Sequence, residues 1–166
     1  DASILNRLGE VMPINDHTID VLILSHAHAD HVVGLNEVLK RYQVSYILEN
    51  NIPYNSSEYA EWNKLKTEAQ VVQAQAGQVI DLGGGATISV LTPEQPGTIQ
   101  TKVSNAHDFM VVTKLNYGTD SVLFAGDMEA RLEQKLINKK SDLEAQVLKI
   151  GHHGSRTSTS SAFLRA

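Results

Sequence analysis

Cysteine is absent from the 166 residues, which excludes disulfides and any thiolate metal ligand. No apolar run reaches the roughly 20 residues that a membrane-spanning helix needs. No secretory leader is legible at the start, although a cleaved one would leave no trace. Basic excess is missing too. Lys and Arg number 14 against 19 Asp and Glu, a net charge of −5 with His neutral. An extended nucleic-acid groove normally announces itself by basic charge, so a polyanionic partner would have to be small or single-stranded and held at few points. Repeats, low-complexity segments and linkers are likewise missing. With 42% hydrophobic and 20% charged residues the composition is that of an ordinary globular chain. Its length suffices for one domain with a real core, expected over 1–166.

What the sequence has is histidine in pattern. In Ser25-His26-Ala27-His28-Ala29-Asp30-His31 four potential metal ligands fall within six residues, directly after the apolar run Ile19 to Leu24. Residues two apart on an extended chain point the same way, so His26 and His28 can grip one ion together. Asp30 and His31 lie just beyond, where the chain turns into the next element, and can face a second. Neutral imidazole and carboxylate are the ligand types that suit zinc and similar ions. A surface histidine cluster is the alternative, and the recurrence of His107, Asp127, His152 and His153 downstream argues against it. Six of the seven histidines fall in such motifs; His17 reads as a solvated loop residue.

Periodicity supplies the frame. A short helix is expected over Ala2 to Met12, stopped by Pro13. The segment 19–48 reads as strand–helix–strand, with strands at Ile19 to Leu24 and Val44 to Leu48. Its helix, Val32 to Tyr42, carries an apolar stripe. The capping-box spacing of Asn55-Ser56-Ser57-Glu58 predicts a helix to about Thr67. Trp62, Tyr54 and Tyr59 there are read as packing residues, with stacking on a substrate as the alternative. Strands follow at 71–72, 79–80 and 88–91. Gly83-Gly84-Gly85 is a hairpin turn rather than a phosphate cradle, because the Lys-Ser/Thr ending and the following helix are missing. Pro93 to Thr101 is a loop. Phe109 to Leu115 and Ser121 to Phe124 read as a hairpin, Met128 to Ile137 as a helix, Val147 to Ile150 as a strand, and Ser158 to Ala166 as the start of a last helix.

His26-x-His28-x-Asp30-His31 after an apolar strand resembles the signature of the metallo-β-lactamase fold superfamily. Asn105-Ala106-His107, Phe124-Ala125-Gly126-Asp127 and Leu148-Lys149-Ile150-Gly151-His152-His153-Gly154-Ser155 match in order. The last, with Arg156-Thr157-Ser158, is similar to the hydrolase domain of the ComEC/Rec2 DNA-uptake proteins and their soluble relatives. The resemblance implies an α/β fold, a four-layer αββα sandwich with the metal site at one edge between two sheets. Relatives carry further strands before and after the matched region, so the sandwich is expected to be incomplete, a fragment of the usual domain. The resemblance also implies two divalent ions, Zn²⁺ or Mn²⁺. His26, His28 and His107 would hold the first, Asp30, His31 and one of His152 and His153 the second, and Asp127 would bridge. The ending after His153 is the better match, which leaves His152 as a supporting or substrate-contacting residue. The absence of cysteine removes the variant of the family that holds its second ion with a thiolate.

The expected activity is metal-dependent phosphodiester hydrolysis of a small-molecule or single-stranded nucleic-acid substrate. Asp30 would orient the attacking water and handle its proton. Ser155 and Arg156, with Thr157 and Lys149, are candidates to meet an anionic group; helix capping and solvation are the plain alternatives. Two competing readings share the scaffold. One is hydrolysis of a carbonyl substrate such as a lactone, thioester or β-lactam. The other is a truncated metal-binding module without activity. The resemblance leans toward an extracytoplasmic location and sets no oligomeric state.

Overall fold

The computed structural model describes residues 3–95 and 106–166. The chain begins with α1 (Ser3–Val11), β1 (Thr18–Ile23), α2 (Ala29–Leu39), β2 (Gln43–Glu49), α3 (Ser57–Leu65) and β3 (Gln70–Gln73). The three strands form a parallel sheet in the order β1-β2-β3, each pair joined through a helix as parallel pairing requires. There follow β4 (Val79–Gly83), β5 (Ala86–Thr92), β6 (Val112–Tyr117), β7 (Asp120–Phe124), α4 (Ala130–Asn138) and β8 (Val147–Lys149). These strands make a second sheet, antiparallel from β4 to β7 and closed by the parallel pair β7–β8. No helix among the described residues is long and apolar enough to cross a membrane.

Three buried clusters mark the layer boundaries. Leu24, Val32, Val44, Ile47, Tyr59 and Trp62 seal α2 and α3 onto the parallel sheet. Leu48, Ala74, Val90 and Val111 fill the space between the sheets. Met110, Val112, Leu123, Leu132, Leu136 and Phe163 pack α4 and the C-terminal turn onto the second sheet. The layers thus run helix, sheet, sheet, helix, as the αββα expectation requires. Between the sheets lies a groove of about 800 Å³, lined by Ile19, Val21, Ile47, Val72, Ile80 and Ile88 among others, with no histidine in its lining.

Local chemistry explains most boundaries. The two-residue turn Gly84-Gly85 has φ of +61° and +87°, the conformation a tight β-hairpin favours and glycine alone takes freely. Helix α3 is capped by Ser56, whose hydroxyl accepts from the Tyr59 backbone N–H at 3.1 Å, one residue later than the Asn55 cap expected from the sequence. Three other expectations shift. Helix α2 starts at Ala29, so Asp30 and His31 belong to its first turn, where a carboxylate suits the helix dipole. Phe109 lies in a 3₁₀ turn, Ala106–Phe109, and β6 begins only at Val112. The stretch from Ser158 is turns ending in a 3₁₀ turn, Phe163–Arg165, rather than a helix. Asn105 and most of the 93–101 loop lie outside the described residues.

Trp62 is fully buried and donates its indole N–H to Glu49 at 2.7 Å. Lys66 pairs with the other oxygen of the same carboxylate. Burial, with the Glu49 charge adding to it, pushes the nearby Tyr59 phenol up. Trp62 is therefore a packing residue. A buried carboxylate stripped of its cation is costly, so Lys66→Met should lower unfolding free energy by about 3–5 kcal/mol. Urea denaturation followed by tryptophan fluorescence measures this.

Candidate metal centre

Six histidines and two aspartates converge where both sheets end. Residues 24–28 leave β1 as extended chain, anchored by hydrogen bonds from Leu24 N–H to the Leu48 carbonyl (3.0 Å) and from Val111 N–H to the Ser25 carbonyl (2.8 Å). Extended backbone sends His26 and His28 to one side, with His26 Nε2 at 3.1 Å from His28 Nδ1. His28 is the N-cap of α2, yet its side chain makes no capping bond, so the ring stays with its neighbours. The following helical turn swings Asp30 and His31 toward a different point. His107 arrives on the 3₁₀ turn, with its ring 5.5 Å from His26 and 5.1 Å from His28.

Asp127 follows β7 on a tight turn made possible by Gly126. Gly126 has φ of +54°, and a Cβ there would stand 2.9 Å from Met110 Sδ and 3.2 Å from Ser25 Cβ. That packing holds the Asp127 carboxylate buried, 2% exposed. Its Oδ2 lies 3.3 Å from His31 Nε2, 3.4 Å from His153 Nε2 and 3.8 Å from His26 Nε2.

The adjacent pair His152-His153 sits in a 3₁₀ turn with both residues in the left-handed region, φ of +44° and +52°. Non-glycine residues rarely adopt this conformation, and it costs energy that surrounding contacts must hold in place. The result is a splay, with ring centroids 6.3 Å apart. His153 Nε2 reaches Asp30 Oδ2 at 3.1 Å, while His152 Nδ1 faces Glu129 Oε1 at 3.3 Å. The turn leaves no room for change at Gly151, where a Cβ would come within 2.5 Å of the Met128 carbonyl oxygen.

Three sets of side chains among the described residues therefore have ligand atoms within 4.8 Å of one another: His26, His28 and His107; Asp30, His31, Asp127 and His153; and His107, Glu129 and His152. The sequence left open which member of the His152-His153 pair faces the site. Both do, toward different sets. A divalent cation fits what is present. Imidazole nitrogen and carboxylate oxygen are its preferred donors, and His31 Nε2, Asp127 Oδ1 and His152 Nδ1 are buried without a hydrogen bond among the described residues, each costing about 1–3 kcal/mol unless something satisfies it.

Two participants carry no histidine-like signal. The Ser25 hydroxyl lies 3.2 Å from His26 Nδ1 and 3.3 Å from His31 Nδ1. Holding those nitrogens turns both Nε2 atoms toward Asp127, the orienting role an outer partner plays for a ligating imidazole. Glu129 is the N-cap of α4 without a side-chain capping bond. It accepts from Thr157 Oγ1 at 3.0 Å and lies 3.6 Å from His107 Nδ1. Its place two residues after Asp127 was the only available clue.

The remaining candidates stand apart. The Ser155 hydroxyl is engaged with Thr157, 3.0 Å from its Oγ1. Arg156 is exposed and forms no ion pair among the described residues. Lys149 donates to the Gly126 carbonyl at 3.1 Å. His17 is exposed, its ring 5.9 Å from Tyr42.

Fold and site together define a member of the metallo-β-lactamase superfamily, whose family description matches residues 13–166; the chain belongs to it. Within the superfamily it is similar to ComE operon protein 3 of Bacillus subtilis, 29% identical over 152 residues, which are 89% of this chain and 18% of that protein. It is 30% identical over 147 residues to Recombination protein 2 of Haemophilus influenzae, covering 88% of this chain and 16% of that one. The chain thus spans less than a fifth of these relatives' length. Among solved structures it resembles the metallo-β-lactamase fold protein YhfI from Bacillus subtilis, with a TM-score of 0.53 and 19% identity over 88% of this chain and 54% of that one.

Burial, reinforced by the rings of His31 and His28, pushes His26 down to about 3 from an ordinary 6.5. Folded His26 is therefore neutral, whereas the unfolded chain gains a proton there as pH falls through 6.5. This contribution to stability is fully present above pH 6.5 and is lost progressively toward pH 3. The urea midpoint of metal-free protein should drop across that window, and His26→Gln should flatten the drop. Asp127→Asn should lower cation content at both of the first two sets, read by elemental analysis of protein purified without chelators.

Proposed function

We propose that the chain is a metal-dependent hydrolase that uses two divalent ions, Zn²⁺ or Mn²⁺, to cleave phosphodiesters in a small-molecule or single-stranded nucleic-acid substrate. The observation that carries the reading is the abutment of the first two ligand sets across one buried carboxylate, Asp127. His26, His28 and His107 would hold one ion, Asp30, His31 and His153 the other, with Asp127 shared. Bound divalent ions lower the pKa of water from about 15.7 to about 7 and offset charge on the attacking and leaving oxygens of an in-line displacement.

The chain's own groups supply the rest. Burial works to raise Asp30, but the His31 charge and the His153 hydrogen bond outweigh it, and the carboxyl is held below its ordinary value. Asp30 is thus an anion at neutral pH. Its side chain is 60% exposed, as His153 is at 58%, so the site opens to solvent on this rim while His26 and Asp127 close its floor. Asp30 can accept a proton from an attacking water and fix its direction. Asp127, flanked by three imidazoles, supplies carboxylate oxygens at the floor where cations are needed.

Three facts favour phosphorus over a carbonyl carbon. Two ions can each stabilise one apical oxygen of a phosphoryl displacement. No cysteine is available for a thiolate-ligated site. One of the relatives bears a name from recombination, which favours DNA as the substrate. The net charge of −5 goes with few phosphate contacts beyond the site.

Rates on methyl p-nitrophenyl phosphate, short single-stranded DNA and nitrocefin, with and without EDTA, test the proposal. The phosphodiesters should turn over with Mn²⁺ or Zn²⁺ and stop with EDTA, and nitrocefin should stay near background. Asp30→Asn should lower kcat about 10²–10⁴-fold. Turnover of nitrocefin alone, or phosphodiester cleavage indifferent to EDTA, overturns the assignment.

A further inference from the structure

We propose that a nucleobase subsite adjoins the metal centre, built on Tyr54 and the asparagines around it; the identity of its ligand rests on the phosphodiesterase reading. Tyr54 lies on the loop from β2 to α3, and its ring centroid is 5.3 Å from that of His28. It is 40% exposed, so part of its ring is open to a ligand.

The loop that carries it is fixed at both ends. Asn50 is buried; its amide donates to the Phe109 carbonyl at 2.9 Å and its Oδ1 accepts from Ile52 N–H at 3.0 Å. At the far end Ser56 caps α3. Asn51, between them, is in the left-handed region with φ of +54°, a conformation asparagine tolerates better than most residues. Tyr54 is therefore presented rather than loosely attached, and a rigid aromatic surface is a low-entropy platform for a planar ligand.

Beside it lies a cavity of about 300 Å³, lined by Asn51, Pro53, Tyr54, Asn55, Tyr59 and Asn63 among others, none of its lining residues charged. That size is at the lower end of small-molecule sites. The side-chain amides of Asn51, Asn55 and Asn63 make no hydrogen bond among the described residues. Together they offer donors and acceptors without charge, next to an aromatic face. An acyl chain would leave those amides unpaired, and an anionic group would meet no counter-charge. A flat, uncharged ring with hydrogen-bonding edges matches both features, and in a phosphodiester substrate that ring is the base. Stacking on aromatic side chains is sequence-tolerant because every base has a π-face, so the subsite should accept several bases. Its contact with His28 puts the base next to the ion that His26, His28 and His107 would hold, with the phosphate over the open Asp30 and His153 rim.

Saturation-transfer difference NMR on Zn²⁺-loaded protein with 2′-deoxyadenosine, a probe without phosphate, tests the subsite. Ring protons of the nucleoside should receive saturation from wild-type protein. The effect should weaken about 5- to 150-fold in affinity in Tyr54→Ala and persist in Tyr54→Phe. Asn63→Leu, on the exposed face of α3, should weaken it independently. No transfer to wild type, or transfer undiminished in both Tyr54→Ala and Asn63→Leu, overturns the subsite. Hydrolysis of methyl p-nitrophenyl phosphate by wild type is scored separately. Nucleoside binding without any phosphodiester cleavage would refute the hydrolase and leave the pocket standing. Cleavage without nucleoside binding would do the reverse.

Discussion

A buried carboxylate governs this structure. Asp127 is almost wholly removed from water, and a buried polar group in that position needs partners. The chain surrounds it with the Nε2 atoms of His26, His31 and His153 at 3.3–3.8 Å. Each of those rings comes from a different place: the extended exit of β1, the first turn of α2, and the turn after β8. The carboxylate thereby ties both sheets to one point. Gly126 is the condition for this, because any side chain there would meet Met110 and Ser25. The same crowding that positions Asp127 therefore also packs the floor beneath it.

Around that point the histidines depend on neighbours that are not metal-ligand types, or are not where a ligand motif would place them. Ser25 holds the Nδ1 side of two rings, so their Nε2 sides face inward. Glu129 stands against His107 and His152, steadied by Thr157. Arg131 reaches from α4 to Asp108 at 2.8 Å, and Asn50 reaches the Phe109 carbonyl, so the turn carrying His107 is braced from two sides. Strain is part of the arrangement. Two consecutive left-handed histidines are tolerated because the Gly126 carbonyl accepts from His152 N–H at 3.1 Å and the His152 carbonyl accepts from Ser155 N–H at 2.8 Å. The splay that results lets adjacent residues serve two ligand sets.

The aromatic residues of α3 and the preceding loop divide by the same logic of partners. Trp62 and Tyr59 point inward to the cluster against the parallel sheet, where the Trp62 indole N–H meets Glu49. Tyr54, three residues before the start of α3, has no hydrogen-bond partner among the described residues and stands at the edge of the histidines, its ring beside His28. One short segment thus supplies core on one side and a surface beside the site on the other.

The sequence by itself determined the frame and the chemistry. Alternating apolar segments, turn glycines and helical stripes place nearly every strand and helix within a few residues, because these are local preferences of the backbone. Histidine and aspartate at spacings suited to a shared ion are legible for the same reason, since residues two apart on extended chain share a side. What only the tertiary structure decided is direction. Strand alternation would send His152 and His153 to opposite faces, whereas the positive-φ turn, held by contacts with Gly126 and Ser155, brings both to the site. Asp30 and His31 were placed before the helix and proved to form its first turn, since the hydrogen bonds from His31 and Val32 to the His28 carbonyl start α2 earlier than its apolar stripe does. Ser25, Glu129 and Tyr54 acquire their places through contacts between segments distant in the chain. A local pattern contains no record of such contacts, because they exist only once the two sheets have closed on each other.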